Sequence, residues 1–295
     1  MNRIVVGVDG SDGAREAVLW AARTAADRGL ELHIVHGQRV VEFAYGGGLA
    51  GAAGVFEAIR AEAVQIIADA VEQAKSVSDA LVVTTEMPVD HPVVLLNELS
   101  RTADMVVVGG TGHSGFAGVL AGSTAVRVAS HAHCPVAVIR KAPDADTVPV
   151  SGPVVVGVDG SPNSEKAIAV AFAEASARGA ALVAMHAWTD TTYDYYYGSA
   201  RLMVAWESFA EEEERLLAQR LAGWREKYPD VEVRKELLKD RPRHALLAAA
   251  EDARLVVVGS HGRGGFRGML LGSTSLALVQ HANCPVLVVR PEKNR

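Results

Sequence analysis

Ile4-Val5-Val6-Gly7-Val8-Asp9-Gly10-Ser11 returns as Val154-Val155-Val156-Gly157-Val158-Asp159-Gly160-Ser161, at an offset of 150 residues. The offset persists to the end of the chain. Val106-Val107-Val108-Gly109 returns as Val256-Val257-Val258-Gly259, and Gly122-Ser123-Thr124 as Gly272-Ser273-Thr274. His131-Ala132-His133-Cys134-Pro135-Val136 returns as His281-Ala282-Asn283-Cys284-Pro285-Val286. Stacking repeats have periods of roughly 20–50 residues, so this is a duplicated domain. The stretches preserved in both copies are strand ends and glycine turns, the places where α/β proteins hold ligands.

Each half alternates short apolar runs with longer helical patterns. In the first, Ile4–Val8, Leu32–His36, Leu81–Thr85, Met105–Val108 and Val136–Ile139 read as strands. Their continuous β-branched character is that of parallel strands buried on both faces. Segments 13–28, 52–75, 93–101 and 123–130 read as helices, with Gly29 at a helix C-terminus and Gly179 repeating it. The second half predicts strands at Val154–Val158, Leu182–His186, Val231–Leu237, Leu255–Val258 and Val286–Val289, with helices over 163–178, 201–228, 243–252 and 273–280. The fold class is therefore α/β: two tandem doubly wound domains, each a five-stranded parallel sheet flanked by helices. Domains are predicted at 1–141 and 153–295, joined by a proline-containing linker over 142–152.

Composition narrows the function classes. A net charge of −6 argues against a protein whose task is to grip nucleic acid backbone. No apolar run approaches the roughly 18 residues of a membrane span, and the chain opens directly into Ile4-Val5-Val6 without a charged and apolar leader. A cytoplasmic protein without membrane or nucleic acid partners is expected. The two cysteines, Cys134 and Cys284, occupy equivalent places and read as buried thiols rather than a disulfide framework.

The chemistry concentrates after the fourth strands. Gly109-Gly110-Thr111-Gly112-His113-Ser114-Gly115 leads to Gly122-Ser123, and Gly259-Ser260-His261-Gly262-Arg263-Gly264-Gly265 to Gly272-Ser273. The shared spacing is G-x-x-G, nine residues, then G-S. Glycines let backbone N–H groups converge on an anion. Ser123 with Thr124, and Ser273 with Thr274, open the next helices, whose N-termini favour phosphate. No Gly-Lys-Ser/Thr follows, which excludes a Walker A loop, and the position after the fourth strand excludes the dinucleotide fingerprint. Asp9 and Asp159 end the first strands, beside the fourth strands at the topological switch point. A carboxylate repels phosphate, so each is expected to accept hydrogen bonds from a ribose or base, or else to cap the following helix.

These motifs resemble those of the universal stress protein family, in its tandem ATP-binding form. The resemblance rests on the Val-Gly-Val-Asp-Gly-Ser openings, the two glycine motifs and the Cys-Pro-Val endings, and covers both halves. It implies one ATP site per domain in a nucleotide-dependent stress-response regulator or sensor. Gly109, Gly112, Gly122 and Ser123, and in the second half Gly259, Gly262, Gly272 and Ser273, would hold the triphosphate. Asp9 and Asp159 would contact the adenosine, with Gly37 or Ala187 along the adenine and Asp190 as a further contact. The turns Gly7 to Ser11 and Gly157 to Ser161, with His113, Gly115, Arg263 and Gly265 in the loops, complete the candidate sites. Mg2+ is expected with the phosphates, which would supply most of its ligands. The resemblance further implies a homodimer through the last strands, Pro135–Arg140 and Pro285–Arg290.

The halves differ in charge. Arg263 and Arg267 stand where the first half has His113 and Ala117. Hydrogen bonds to charged groups contribute about 1.5–3 kcal/mol, which predicts the tighter site in the second half. Tyr45-Gly46-Gly47-Gly48 is replaced in the second half by a tyrosine-rich Tyr193-Asp194-Tyr195-Tyr196-Tyr197, a loop expected to pack on its own domain. Glu211-Glu212-Glu213-Glu214 reads as a solvated helix face, and His36 and His186 as structural. No shared base is placed for attack: His261 matches Thr111. At most slow ATP hydrolysis is expected, with a nucleotide-independent scaffold or chaperone as the alternative. The first loop, Asp9-Gly10-Ser11-Asp12-Gly13, lacks the S-G-G-x-D-S pattern of ATP pyrophosphatases.

Overall fold

The computed structural model describes residues 2–38, 52–111, 122–188, 206–263 and 271–290. The chain separates into two compact units, Met1–Arg140 with Ala145–Val148, and Lys141–Asp144 with Pro149–Arg295.

In the first unit β1 (Arg3–Gly7), α1 (Asp12–Arg28), β2 (Glu31–Val35), α2 (Ala52–Val77), β3 (Val83–Glu86), α3 (Pro92–Leu99), β4 (Met105–Gly109), α4 (Ser123–His131) and β5 (Val136–Ile139) follow in order. The strands lie side by side as β3-β2-β1-β4-β5, and each neighbouring pair is parallel. The chain thus builds outward from β1 to one side, then crosses to β4 on the other. That reversal leaves a crevice at the carboxyl ends of β1 and β4. Ile4, Val5 and Val6 of β1 and Val106 and Val107 of β4 are fully buried.

The second unit repeats the plan with β6 (Val154–Gly157), α5 (Pro162–Ala177), β7 (Leu182–Trp188), α6 (Trp206–Leu221), α7 (Trp224–Lys227), β8 (Val233–Lys239), α8 (Pro242–Ala249), β9 (Leu255–Gly259), α9 (Ser273–His281) and β10 (Val286–Val289). Its parallel strands run β8-β7-β6-β9-β10.

The first helix of each unit starts on a serine cap. Ser11 Oγ accepts the N–H of Ala14 at 3.2 Å and Ser161 Oγ that of Ser164 at 3.3 Å. Each ends as the glycines predict: Gly29 and Gly179 take positive φ and the following N–H groups return to Ala25 and Ala175.

Three expectations need correction. The single helix expected over 201–228 breaks: Gly223 adopts φ +78°, ending α6 and starting α7. The short helix is held by rings, because Trp224 and Tyr228 stack on Phe172 at 5.9 and 5.7 Å. Next, β3 and β8 are largely exposed rather than buried on both faces. They are the outer strands, and Thr84, Thr85 and Glu86 suit a wet edge. Finally, the glutamate run is not wholly solvated. Glu211 is exposed and Glu214 largely so, but Glu213 is buried against His186.

Candidate functional site

The crevice of the first unit opens into a cavity of about 370 Å3. Gly7, Asp9, Ser11, Gly37, Gly109, Gly122, Ser123 and Thr124, all singled out from sequence, line it. They come from four separate stretches of chain. The parallel pairing of Val6 with Val107 and of Gly7 with Val35 draws those strand ends to one edge. Gly112, His113 and Gly115 lie outside the described residues, as do Asp190, Gly265, Arg267 and both tyrosine-containing loops.

Asp9 organises the first turn. Its Oδ1 accepts the N–H of Ser11 at 3.0 Å and the Ser11 hydroxyl at 2.6 Å. Ser11 rather than Asp9 caps α1, so the aspartate positions the cap. The turn touches the loop after β4 directly: a β-carbon on Gly109 would stand 2.5 Å from the carbonyl carbon of Gly13. Two backbones can approach this closely only without side chains.

That loop closes on itself. Gly110 N–H donates to Ile139 C=O at 2.8 Å, and Gly122 N–H donates to Gly110 C=O at 2.8 Å. Helix α4 begins immediately afterwards, and no side chain caps it. The first N–H groups of a helix have no partner within it, and the dipole adds positive character there. One end of the cavity is thus built to receive an anion. Another part of the lining is mainly apolar: Ile59, Ala63 and Ile66 of α2 and Leu95 and Leu96 of α3 line it, with Glu62 of α2 and His36, Gly37 and Gln38 after β2. These helix residues escaped the motif reading. Their signal is the spacing of 59, 63 and 66, which puts all three on one helix face.

In the second unit Gly157, Asp159, Ser161, Gly259, Gly262, Arg263, Gly272, Ser273 and Thr274 occupy the corresponding strand ends, turn and helix start. Ala187 lies within β7, paired with Leu238, because that strand runs on to Trp188. Asp159 bonds both its own turn and the glycine loop. Its Oδ1 accepts the N–H of Ser161 at 2.9 Å and its Oδ2 that of Arg263 at 2.8 Å. The carboxylate therefore ties the first-strand turn to the glycine loop. The loop closes as in the first unit, with Gly272 N–H on Ser260 C=O at 2.7 Å, and α9 likewise has no side-chain cap. The Arg263 guanidinium lies over Gly160, 2.5 Å from where a β-carbon would stand. In the first unit Ile66 covers Gly10 instead.

Both second-strand histidines are structural to this extent. His36 Nδ1 donates to Val8 C=O at 2.8 Å, and His186 Nδ1 to Val158 C=O at 2.6 Å. A carbonyl only accepts, so each ring is protonated at Nδ1. Burial pushes both cysteine thiols up to about 12, which suits inert packing groups. Among the described residues no helix is long and apolar enough to cross a membrane.

The sequence profile described as the Universal stress protein family matches twice, at residues 1–140 and 151–290. A universal stress protein of Mycobacterium tuberculosis is 43% identical over 300 residues, covering 97% of this chain and 94% of the relative. One of Mycobacterium bovis is 42% identical over 301 residues, covering 97% and 96%. Among solved structures, a universal stress protein from Archaeoglobus fulgidus superposes with a TM-score of 0.69 at 20% identity, covering 98% of both chains. A functionally unknown protein from Pseudomonas aeruginosa gives 0.65 at 15% identity, covering 99% of this chain and 93% of that one. At these identities the two structures speak for the fold.

Proposed function

This chain belongs to the universal stress protein family, with two family domains in tandem, and from that premise we propose that it is a cytoplasmic regulator whose state is set by bound ATP. The observation that carries the reading is the polarity of the first-unit cavity. It joins a mainly apolar wall on α2 and α3, which includes Glu62, to the uncapped start of α4, with the Asp9 carboxylate in its lining. Those parts suit a molecule with a flat base, a sugar and a chain of phosphates. A volume of about 370 Å3 lies within the range of small-molecule sites.

Gly37 and the α2 wall would lie along the adenine, Asp9 would accept from the ribose, and the N–H groups at Gly109, Gly122, Ser123 and Thr124 would meet the phosphates. Asp159, Ala187, Gly259, Gly262, Gly272, Ser273 and Thr274 would do the same in the second unit. Bound Mg2+ would neutralise phosphate charge. Among the described residues no group of three or more histidines, cysteines or carboxylates is gathered to hold a metal, so the phosphates would supply most of its ligands. Association of two chains through the last strands belongs to the same reading, and sedimentation at increasing concentration tests it.

The direct test is to denature the purified protein and identify any nucleotide released per chain. Recovery of ATP supports the regulator. Absence of nucleotide, followed by no heat on titrating ATP with magnesium, would sink the reading and leave a nucleotide-independent scaffold.

A further inference from the structure

The two sites differ along α2 and its counterparts α6 and α7. Ala63, Ala70 and Ala74 of α2 are matched, 150 residues on, by Glu213 and Arg220 of α6 and Trp224 of α7. In the first unit Ala63 and His36 both line the open cavity. In the second, the histidine ring is held by the same bond to the same backbone carbonyl, and a carboxylate stands against it: Glu213 Oε2 is 2.9 Å from His186 Nε2. The two atoms face each other without the alignment of a hydrogen bond. Both residues are buried, 9% and 4% exposed. The space that alanine leaves open in the first unit is thus filled by a carboxylate in the second.

Two further contacts fix the helix in that position. Arg220 pairs with Glu165 and its Nη2 donates to Gly160 C=O at 3.4 Å, on the turn between Asp159 and Ser161. Trp224 stacks on Phe172, where the first unit has Ala74 and Ala22. Arg220 thereby holds α6 against the turn that carries Asp159.

We propose that Glu213 closes the base end of the second site, so that the chain takes its first nucleotide in the first unit and the second site is ~10-fold or more weaker. A base entering the second unit must push the buried Glu213 side chain out of the space it fills beside His186, which costs affinity. This reverses the order that the charge of Arg263 predicts from sequence. The guanidinium lies over Gly160, and the obstacle is the Glu213 carboxylate beside His186. The inference rests on the nucleotide reading above.

Calorimetric titration of ATP with magnesium into nucleotide-free, full-length protein tests it. The unaltered chain is expected to bind one nucleotide tightly. Glu213→Ala, which copies Ala63, is expected to bind two of comparable affinity. Glu213→Gln keeps the volume and is expected to stay at one. Ala63→Glu, the converse change, is expected to abolish the tight site, which assigns that site to the first unit. Two equivalent sites in the unaltered chain would overturn the inference while leaving the nucleotide reading intact. So would an unchanged count in Glu213→Ala, an opened site in Glu213→Gln, or an unaffected tight site in Ala63→Glu. No binding by any form would overturn the nucleotide reading itself.

Discussion

The N–H of Gly122 donates to the carbonyl of Gly110 at 2.8 Å, so the segment that leaves β4 returns to within one hydrogen bond of its origin before α4 begins. Gly272 and Ser260 repeat the bond at 2.7 Å. The uncapped helix start is therefore fixed beside the end of the fourth strand.

The close approach of Gly109 to Gly13 makes the two units unequal in their tolerance of alanine. A β-carbon on Gly109 meets the Gly13 carbonyl carbon and oxygen at 2.5 and 2.6 Å, and backbone cannot rotate away. On Gly259 it meets Asn163 at 3.1 Å or more, part of which is side chain. Gly109→Ala is expected to cost about 1–3 kcal/mol, the scale of an overpacked core. Gly259→Ala should cost less, and thermal unfolding of the two variants reads the order. An equal fall in midpoint would contradict it.

Asp159 holds the glycine loop by the N–H of Arg263. A hydrogen bond to a charged acceptor contributes about 1.5–3 kcal/mol, so its loss raises local opening. Trypsin is therefore expected to cut after Arg263 ~10-fold faster in Asp159→Ala than in the unaltered chain. Asp9→Ala should leave that cleavage rate alone. Equal cleavage in all three would mean that the contact does not restrain the loop.

How much of this was legible in the sequence depends on what kind of feature carried it. The doubly wound plan was, because buried parallel strands such as Val106 to Val108 announce themselves as unbroken β-branched runs. The candidate site was legible where backbone chemistry defines it: Gly109, Gly122 and Asp9 stand out by residue type alone. Its apolar wall was not, since Ile59, Ala63 and Ile66 look like any core-facing stripe until the helix is placed over the crevice. The burial of Glu213 was hidden for the opposite reason. Four consecutive glutamates look uniformly solvated, and only the 3.6-residue turn decides which of them faces His186. The break at Gly223 was hidden because one glycine is tolerated within a helix.

Those rings make the second unit sensitive where the first is not. Phe172 is fully buried, and Trp224 and Tyr228 stack on it. Phe172→Ala is expected to cost about 3–5 kcal/mol, as for other large-to-small core changes. Trp224→Ala, which removes a half-buried partner, should cost less. Denaturant unfolding followed by tryptophan fluorescence measures both. A Phe172→Ala loss below that of Trp224→Ala would mean that the stack does not anchor α7.

Alkaline pH should unfold the protein through its two buried thiols. Burial raises Cys134 and Cys284 from an ordinary value of 9.0 to about 12. Below pH ~9 both folded and unfolded chains keep these protons, and the thiols leave stability unchanged. Between about 9 and 12 the unfolded chain releases them and the folded chain does not. The unfolded state then gains, so stability falls as pH rises, by about 1.4 kcal/mol per pH unit for each thiol at the steepest. Replacing both cysteines with alanine should flatten this stretch of the stability profile at some cost in packing. Urea unfolding at pH 8, 9.5 and 10.5 separates the two effects, the packing loss being the same at each pH. A profile equally steep in the double variant would place the alkaline lability elsewhere.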